Sequence, residues 1–331
     1  MSDTKLVSRW SFEKLKGLVG NVFLILSILK TKFSRVKSFE FFLLGLATAN
    51  LEEIVILNIY DTVFLEGYFI ITSTWPCPIL KFLTMFGEIS SILFTVLISI
   101  FRYQKLRDAS MRSSLPICLD SIRSAWMVSG LCVALSLLLS LPTFFINLQG
   151  SADNATRNTG YCPPDFFNCG KHSCHLINRF YKYLFILMCN LLPLIIVTGT
   201  GCLIIKVLLS QRKQVTSVMS VSSQTRKKGK GPGRQRSVIA VLAAMGLFQV
   251  DWTLYLIFQL FYFPTDLPFW DEMEFFISTS YTSISPYMYG IGTATSLVTT
   301  DRTCNSRHSS PGTASPPPAT RSSNRRLKGI Q

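Results

Sequence analysis

Charge is scarce in this chain. Asp, Glu, Lys and Arg make up 15% of its 331 residues, whereas soluble domains carry about 25%. With 48% hydrophobic residues and a mean hydropathy of +0.34, that deficit excludes an ordinary soluble domain. Catalytic signatures are missing as well. No HExxH, no Gly-rich phosphate loop and no nucleophile–base pair is visible, so nothing points to an enzyme or to a cofactor. The three histidines, His172, His175 and His308, lie outside the apolar segments and supply no buried base. Nor does a clean apolar run follow Met1 closely enough to read as a cleavable signal peptide; the first spanning helix is expected to act as its own insertion signal.

What the chain has instead is apolar segments near the roughly 20 residues a bilayer-spanning helix needs. Seven are visible, at about 12–29, 39–60, 78–101, 124–146, 180–209, 237–263 and 273–297. The expected class is therefore an all-α membrane protein, a seven-transmembrane helix bundle. The net charge of +15 does not indicate nucleic acid, because the basic residues fall in alternate loops. Loops 30–38, 102–123 and 206–236, with the tail from 298, hold 24 Lys and Arg, and the remaining loops hold 2. Positive-inside bias then places the N-terminus outside and the C-terminus inside. The one N-x-S/T sequon, Asn154-Ala155-Thr156, falls in the outer loop 147–177 and is a glycosylation candidate.

The first segment is short. Leu18 to Leu29 is clean, but Arg9, Glu13, Lys14 and Lys16 precede it. Either this helix is tilted in a thinned bilayer, or residues 1–17 derive from an alternative first exon. The tail 298–331 is rich in Ser, Thr, Pro and Arg and is expected to be disordered. The inner loop Arg226-Lys227-Lys228-Gly229-Lys230 suits anionic lipid at about 1 kcal/mol per basic residue.

The third segment carries the sharpest pattern. Thr84, Glu88, Ser91, Thr95, Ser99 and Arg102 recur at steps of four, three, four, four and three, which draws one polar stripe facing the bundle interior. Cys77 precedes the stripe and Arg102 ends it 25 residues later, about 38 Å of helix and so a full crossing. An outer cysteine followed at this spacing by Phe101-Arg102-Tyr103 resembles the third helix of rhodopsin-like G-protein-coupled receptors. Phe101 stands where that family usually has an acid. Ser285-Pro286-Tyr287-Met288-Tyr289 is similar to the family's Asn-Pro-x-x-Tyr motif, and Pro193 falls where the fifth helix is expected to have one. The sixth segment departs, with no proline between Ser237 and Phe263.

Vomeronasal type 1 and type 2 taste receptors share those departures. The runs FRYQKLRDA, LPICLDSIRSAW and SISPYMYGIG most resemble the fish olfactory class A-related, vomeronasal type-1-like receptors, over roughly residues 18–297. That resemblance implies a rhodopsin-like bundle in the plasma membrane of sensory neurons, in cilia or microvilli, and coupling to a heterotrimeric G protein of inhibitory type. It assigns Arg102, Tyr103, Pro286 and Tyr289 to activation and G-protein coupling. It also implies a disulfide from Cys77 into the second outer loop, where Cys162, Cys169 and Cys174 are available and Cys162 or Cys169 is favoured. The run Cys169 to His175 has metal-ligand character, but oxidised cysteines lose it, so no metal is expected. Cys132, Cys189 and Cys202 read as packing residues within spans, and Cys304 as a palmitoylation candidate.

Charges inside spans are costly and so mark candidate sites. The mid-span ones read as acidic: Glu52, Glu53, Glu88 and Asp251, with Asp61 and Glu274 nearer the outer ends. A buried carboxylate can bind an ammonium, donate a hydrogen bond when protonated, or bond a neighbouring helix. The candidate ligand set is Glu88, Thr84, Glu53, Asp61, Asp251, Trp252, Phe275 and Tyr281, with Phe86 as a further aromatic. Whether Asp251 or Trp252 faces inward is left open. The expected ligand is a small water-soluble odorant, an amine favoured over an organic acid. The rival reading is a secondary transporter using the intramembrane acids as a cation or proton relay; the odd number of spans and the lack of broken helix pairs fit it poorly.

Overall fold

The structure is a computed structural model that describes residues 3–30, 38–64, 76–111, 121–156, 166–167, 174–219, 232–261, 277 and 279–290. All regular structure among the described residues is helical. The elements are α1 (Asp3–Lys30), α2 (Ser38–Phe64), α3 (Pro76–Met111), α4 (Ile122–Thr156), α5 (Leu176–Phe185), α6 (Leu192–Met219) and α7 (Pro232–Phe261). Residues 279–290 form a last helix, α8. A π turn, Ile186–Leu191, joins α5 to α6 without a break, so these three pieces make one rod, and the described residues hold seven helical rods.

Among the described residues, five stretches are long and apolar enough to cross a membrane: Ser38–Ile59, Pro76–Ser110, Ile122–Asn147, Leu176–Ser210 and Val238–Leu260. The first helix does not end where the clean apolar run does. Its backbone stays helical through Arg9, Glu13, Lys14 and Lys16 for 28 residues, long enough to cross. The third helix likewise runs past Arg102 to Met111, because Tyr103 to Met111 contains no helix breaker. The fourth extends through the sequon to Thr156, so Asn154 lies on a helical extension, although its side chain is outside the described residues. Asp61 is on α2 with an undescribed side chain; Phe275, Glu274, Cys162, Cys169 and Cys304 are outside the described residues altogether.

The π turn has a local cause. Pro193 has no N–H for the carbonyl of Cys189 four residues back, and its ring would clash there. One widened turn at Ile186–Leu191 absorbs the mismatch. By contrast α7, with no interior proline, is one unbroken α-helix.

The long third helix is the axis of the bundle, packing against α2, α4, α6 and α7. Lipid is as apolar as leucine, so close packing and interhelical hydrogen bonds, rather than burial alone, hold such helices together. Asn50 of α2 provides the densest set of bonds. Its Nδ2 donates to Ser285 Oγ at 3.0 Å and to Asn21 Oδ1 at 3.5 Å, and its Oδ1 accepts from Ser91 at 2.6 Å. Asn21 Nδ2 donates in turn to the carbonyl of Thr282 at 3.0 Å. Four helices, α1, α2, α3 and α8, therefore meet at two amides.

Missing side chains make the close approaches possible. A Cβ on Gly20 would come within 2.9 Å of the Tyr287 ring, and one on Gly45 would strike the Phe94 ring. That ring is 4% exposed, with no room to retreat. Gly45→Val should therefore separate α2 from α3 and cost about 1–3 kcal/mol, the usual range for overpacking. A thermal melt of the detergent-purified protein should show a midpoint several degrees lower, with helix content unchanged below the transition.

Candidate functional site

The polar stripe of α3 faces inward as its period requires. Thr84, Glu88, Ser91, Thr95 and Ser99 are 6% exposed or less. Their hydroxyls divide in two. Thr84 and Ser99 bond back to their own helix, at Leu80 and Val96. Ser91 and Thr95 reach other helices, Ser91 to Asn50 and Thr95 to the Tyr281 hydroxyl at 2.6 Å.

In the outer half, Glu88 lies close enough to Tyr181 and Cys189 to interact electrostatically with both. Tyr181 is fixed by hydrogen bonds to Thr143 at 2.8 Å and to the Leu139 carbonyl at 2.6 Å, which ties α5 to α4. Beneath lies an aromatic stack. Phe248 sits 5.8 Å from Trp252 and 5.5 Å from Tyr281, and Trp252 meets Tyr255 edge-on at 5.2 Å. Asp251 and Trp252 are both buried: Trp252 joins this stack while Asp251 faces Ser280 of α8. Tyr281 lies seven residues inward of Glu88 along the stripe, at the level of Thr95, about 10 Å deeper.

Glu53 is buried on α2 beside Gly87, and the Glu52 carboxylate rests against the same glycine. The interior charges are not all acidic, as the sequence suggested. Lys81 of α3 is 1% exposed, donates to Asn147 Oδ1 at 2.9 Å and lies 5.8 Å from the Phe166 ring centre. Asn147 also donates to the Phe166 carbonyl at 2.8 Å. Lys81 thus clamps α4 and the outer loop to α3. Phe86 is half-buried. Cys77 and Cys174 each belong to a disulfide, and the candidate partners Cys162 and Cys169 lie outside the described residues. Cys132, Cys189 and Cys202 are free, and Cys202 is exposed on the helix surface rather than packed. No metal-holding group of His, Cys, Asp or Glu occurs among the described residues.

At the inner end, Arg102 stacks on Phe39 of α2, with its Cζ 3.4 Å from the ring centroid. Phe101, at the place of the usual acid, is buried 6.1 Å from Phe39 and 5.5 Å from Phe42. An aromatic floor therefore holds the arginine in place of a neighbouring carboxylate. Tyr289 lies near both Tyr281 and Arg102. The sequence Ser91–Thr95–Tyr281–Tyr289–Arg102 makes a polar route from mid-bundle to the inner surface. Pro286 is buried against Gly20, and Tyr103 is half-buried with Arg107 over its ring at 5.8 Å.

Sequence reasoning missed Asn21, Asn50, Lys81, Phe39 and Asn190. Asn21, Asn50 and Lys81 were open to notice as polar residues inside apolar runs. Phe39 had no such signal, since it is one phenylalanine among three in Phe39-Glu40-Phe41-Phe42.

A bundle of seven helical rods, with a polar seam along the third and an arginine at its inner end, defines a seven-helix membrane receptor. The sequence profile of the rhodopsin family of seven-transmembrane receptors matches residues 20–288, and the chain belongs to that family. It is a G-protein-coupled receptor and a multi-pass plasma-membrane protein, with a G protein and membrane lipid as partners. The transporter alternative is not favoured. A comparison with curated proteins returns no match.

The Phe39 ring covers the Arg102 guanidinium, so a partner that engaged Arg102 from inside the cell would have to displace that contact. Phe39→Leu keeps an apolar side chain but removes the ring, a loss of about 0.5–2 kcal/mol of cation–π attraction. Ligand-independent G-protein activation should rise severalfold at equal surface expression.

Proposed function

We propose that this receptor is chemosensory, of the olfactory and pheromone type, and that it binds a small water-soluble odorant in the outer half of the bundle. The observation that carries this reading is the buried Glu88 carboxylate, placed above the Phe248–Trp252–Tyr281 stack and beside Tyr181 and Cys189. An amine is favoured over an organic acid. Among the described residues the buried cation Lys81 is held by Asn147 and Phe166, and the acid Glu88 lines the interior with the aromatic stack below it. An ammonium group on Glu88 would have its apolar part directed toward Trp252, with Thr84 and Glu53 on the neighbouring walls and Asp251 farther in. Asp61 and Phe275 belong to the same proposed set at the outer rim.

Ligand binding would favour one of two packings of the bundle. The stack touches Tyr281, Tyr281 bonds Thr95, and Tyr289 lies between Tyr281 and Arg102. Displacement of the stack therefore bears on the Phe39–Arg102 contact. Release of Arg102, with Tyr103 beside it and Pro286 and Tyr289 repacking on α8, would admit a G protein. By resemblance this is the inhibitory type, in the cilia or microvilli of a sensory neuron. The receptor domain would span 18–297, with 298–331 as a cytoplasmic tail, Asn154 glycosylated, and Cys77 paired with Cys162 or Cys169.

The test is a panel of small amines and organic acids on cells expressing the receptor with an outer epitope tag. Amines should evoke G-protein activation, and Glu88→Gln should raise their half-maximal concentration by at least about tenfold at equal surface level, since one partner of a buried charge pair is lost. Unchanged amine potency in Glu88→Gln, or responses to acids alone, would refute the assignment.

A further inference from the structure

Asn190 stands apart from every other buried amide in the bundle. It is 1% exposed, yet neither Nδ2 nor Oδ1 has a hydrogen-bond partner among the described residues. Asn21, Asn50 and Asn147, equally buried, are each engaged through the side chain. An amide left with both ends unmet in a low-dielectric interior forfeits the hydrogen bonds it would make to water. Such a group is retained where something else satisfies it.

Its position narrows what that something is. Asn190 lies on the π turn Ile186–Leu191, which packs against α7. The preceding residue, Cys189, is 2% exposed and interacts electrostatically with Glu88. Successive residues on such a turn point roughly a quarter turn apart. Cys189 is therefore directed at the Glu88 side of α3, and Asn190 at the interior next to it, toward α7. On α7, Trp252 Nε1 and Asp251 Oδ2 are likewise buried without hydrogen-bond partners among the described residues. Pro193 forces the widened turn and so sets the azimuth of both residues.

The geometry points to Asn190 as a second ligand anchor and the specificity-determining residue of the pocket. The ligand class is an amine carrying a second group that both donates and accepts hydrogen bonds, a hydroxyl or a primary amide. The amide of Asn190 offers one donor and one acceptor edge, and only such a group meets both at once. The Glu88 carboxylate would fix the ammonium end, and Asn190 the other. This inference rests on the amine reading of Glu88.

The test compares short n-alkylamines with the matching ω-amino alcohols and ω-amino amides, each assayed for G-protein activation on the full-length receptor. Wild type should respond to the bifunctional compounds about tenfold more potently than to the plain amines, the size of one hydrogen bond to a buried group. Asn190→Leu should erase that ratio while plain-amine potency stays within about threefold. Asn190→Thr, which keeps one hydroxyl, should retain part of it. A ratio is read within one variant, so altered expression or folding does not move it. Equal potency of the two compound classes in wild type, or an unchanged ratio in Asn190→Leu, overturns the Asn190 assignment and leaves Glu88 untouched. Absence of any Glu88-dependent amine response overturns the amine reading, and this inference with it.

Discussion

Asn50 donates to Ser285 and Asn21 and accepts from Ser91, so that a single amide group joins four helices near the middle of the bundle. Everything else in the interior is hung from that point. In lipid a polar group has no solvent to fall back on, and double-mutant measurements put interhelical bonds at about 0.6 kcal/mol each. Three bonds converging on one side chain outweigh any pairwise helix contact made by a lone serine. They also fix registry, because Asn21, Asn50, Ser91 and Ser285 meet only at one axial offset of their helices.

Above and below this knot the same face of α3 does different work. Outward, Glu88 and Thr84 are buried on this face, with Glu88 beside Tyr181 and Cys189. Inward, Thr95 hands the seam to Tyr281, and Tyr289 lies between Tyr281 and Arg102. Glu88 and Arg102 are 14 residues apart, about 21 Å, which is too far for direct electrostatic influence to matter. Coupling between them has to travel through packed groups with two arrangements. The stack of Phe248, Trp252 and Tyr281 is the element that touches both halves. On the proposed reading, the Phe39–Arg102 contact sets how much that element must overcome.

Much of this was written in the chain, because the period of α3 alone puts Thr84 to Ser99 on one inward face. The family motifs around Arg102 and Pro286 were visible for the same reason: they are local in sequence. What depended on another helix was not. Phe101 showed that the usual acid is absent, but not that Phe39 takes its place across the interface. Lys81 sits in the third apolar segment, but its clamping role carried no signal of its own there, since its partners Asn147 and Phe166 are 66 and 85 residues away in the chain. Pro193 was legible as a helix-five proline, while the π turn that it forces, and the inward Asn190, required the backbone. In the first helix the clean apolar run begins at Leu18, but helical backbone does not need apolar side chains and extends back to Asp3.

The central claim is that this bundle passes a signal to a G protein through Arg102. The direct measurement is guanine-nucleotide exchange on purified heterotrimeric G proteins, catalysed by the receptor in lipid nanodiscs, for wild type beside Arg102→Ala. The account predicts that wild type accelerates exchange on at least one heterotrimer, and that Arg102→Ala, folded to the same melting point, does so at least about tenfold less. Equal exchange by the two proteins would contradict it, and would move the coupling surface away from the inner end of α3.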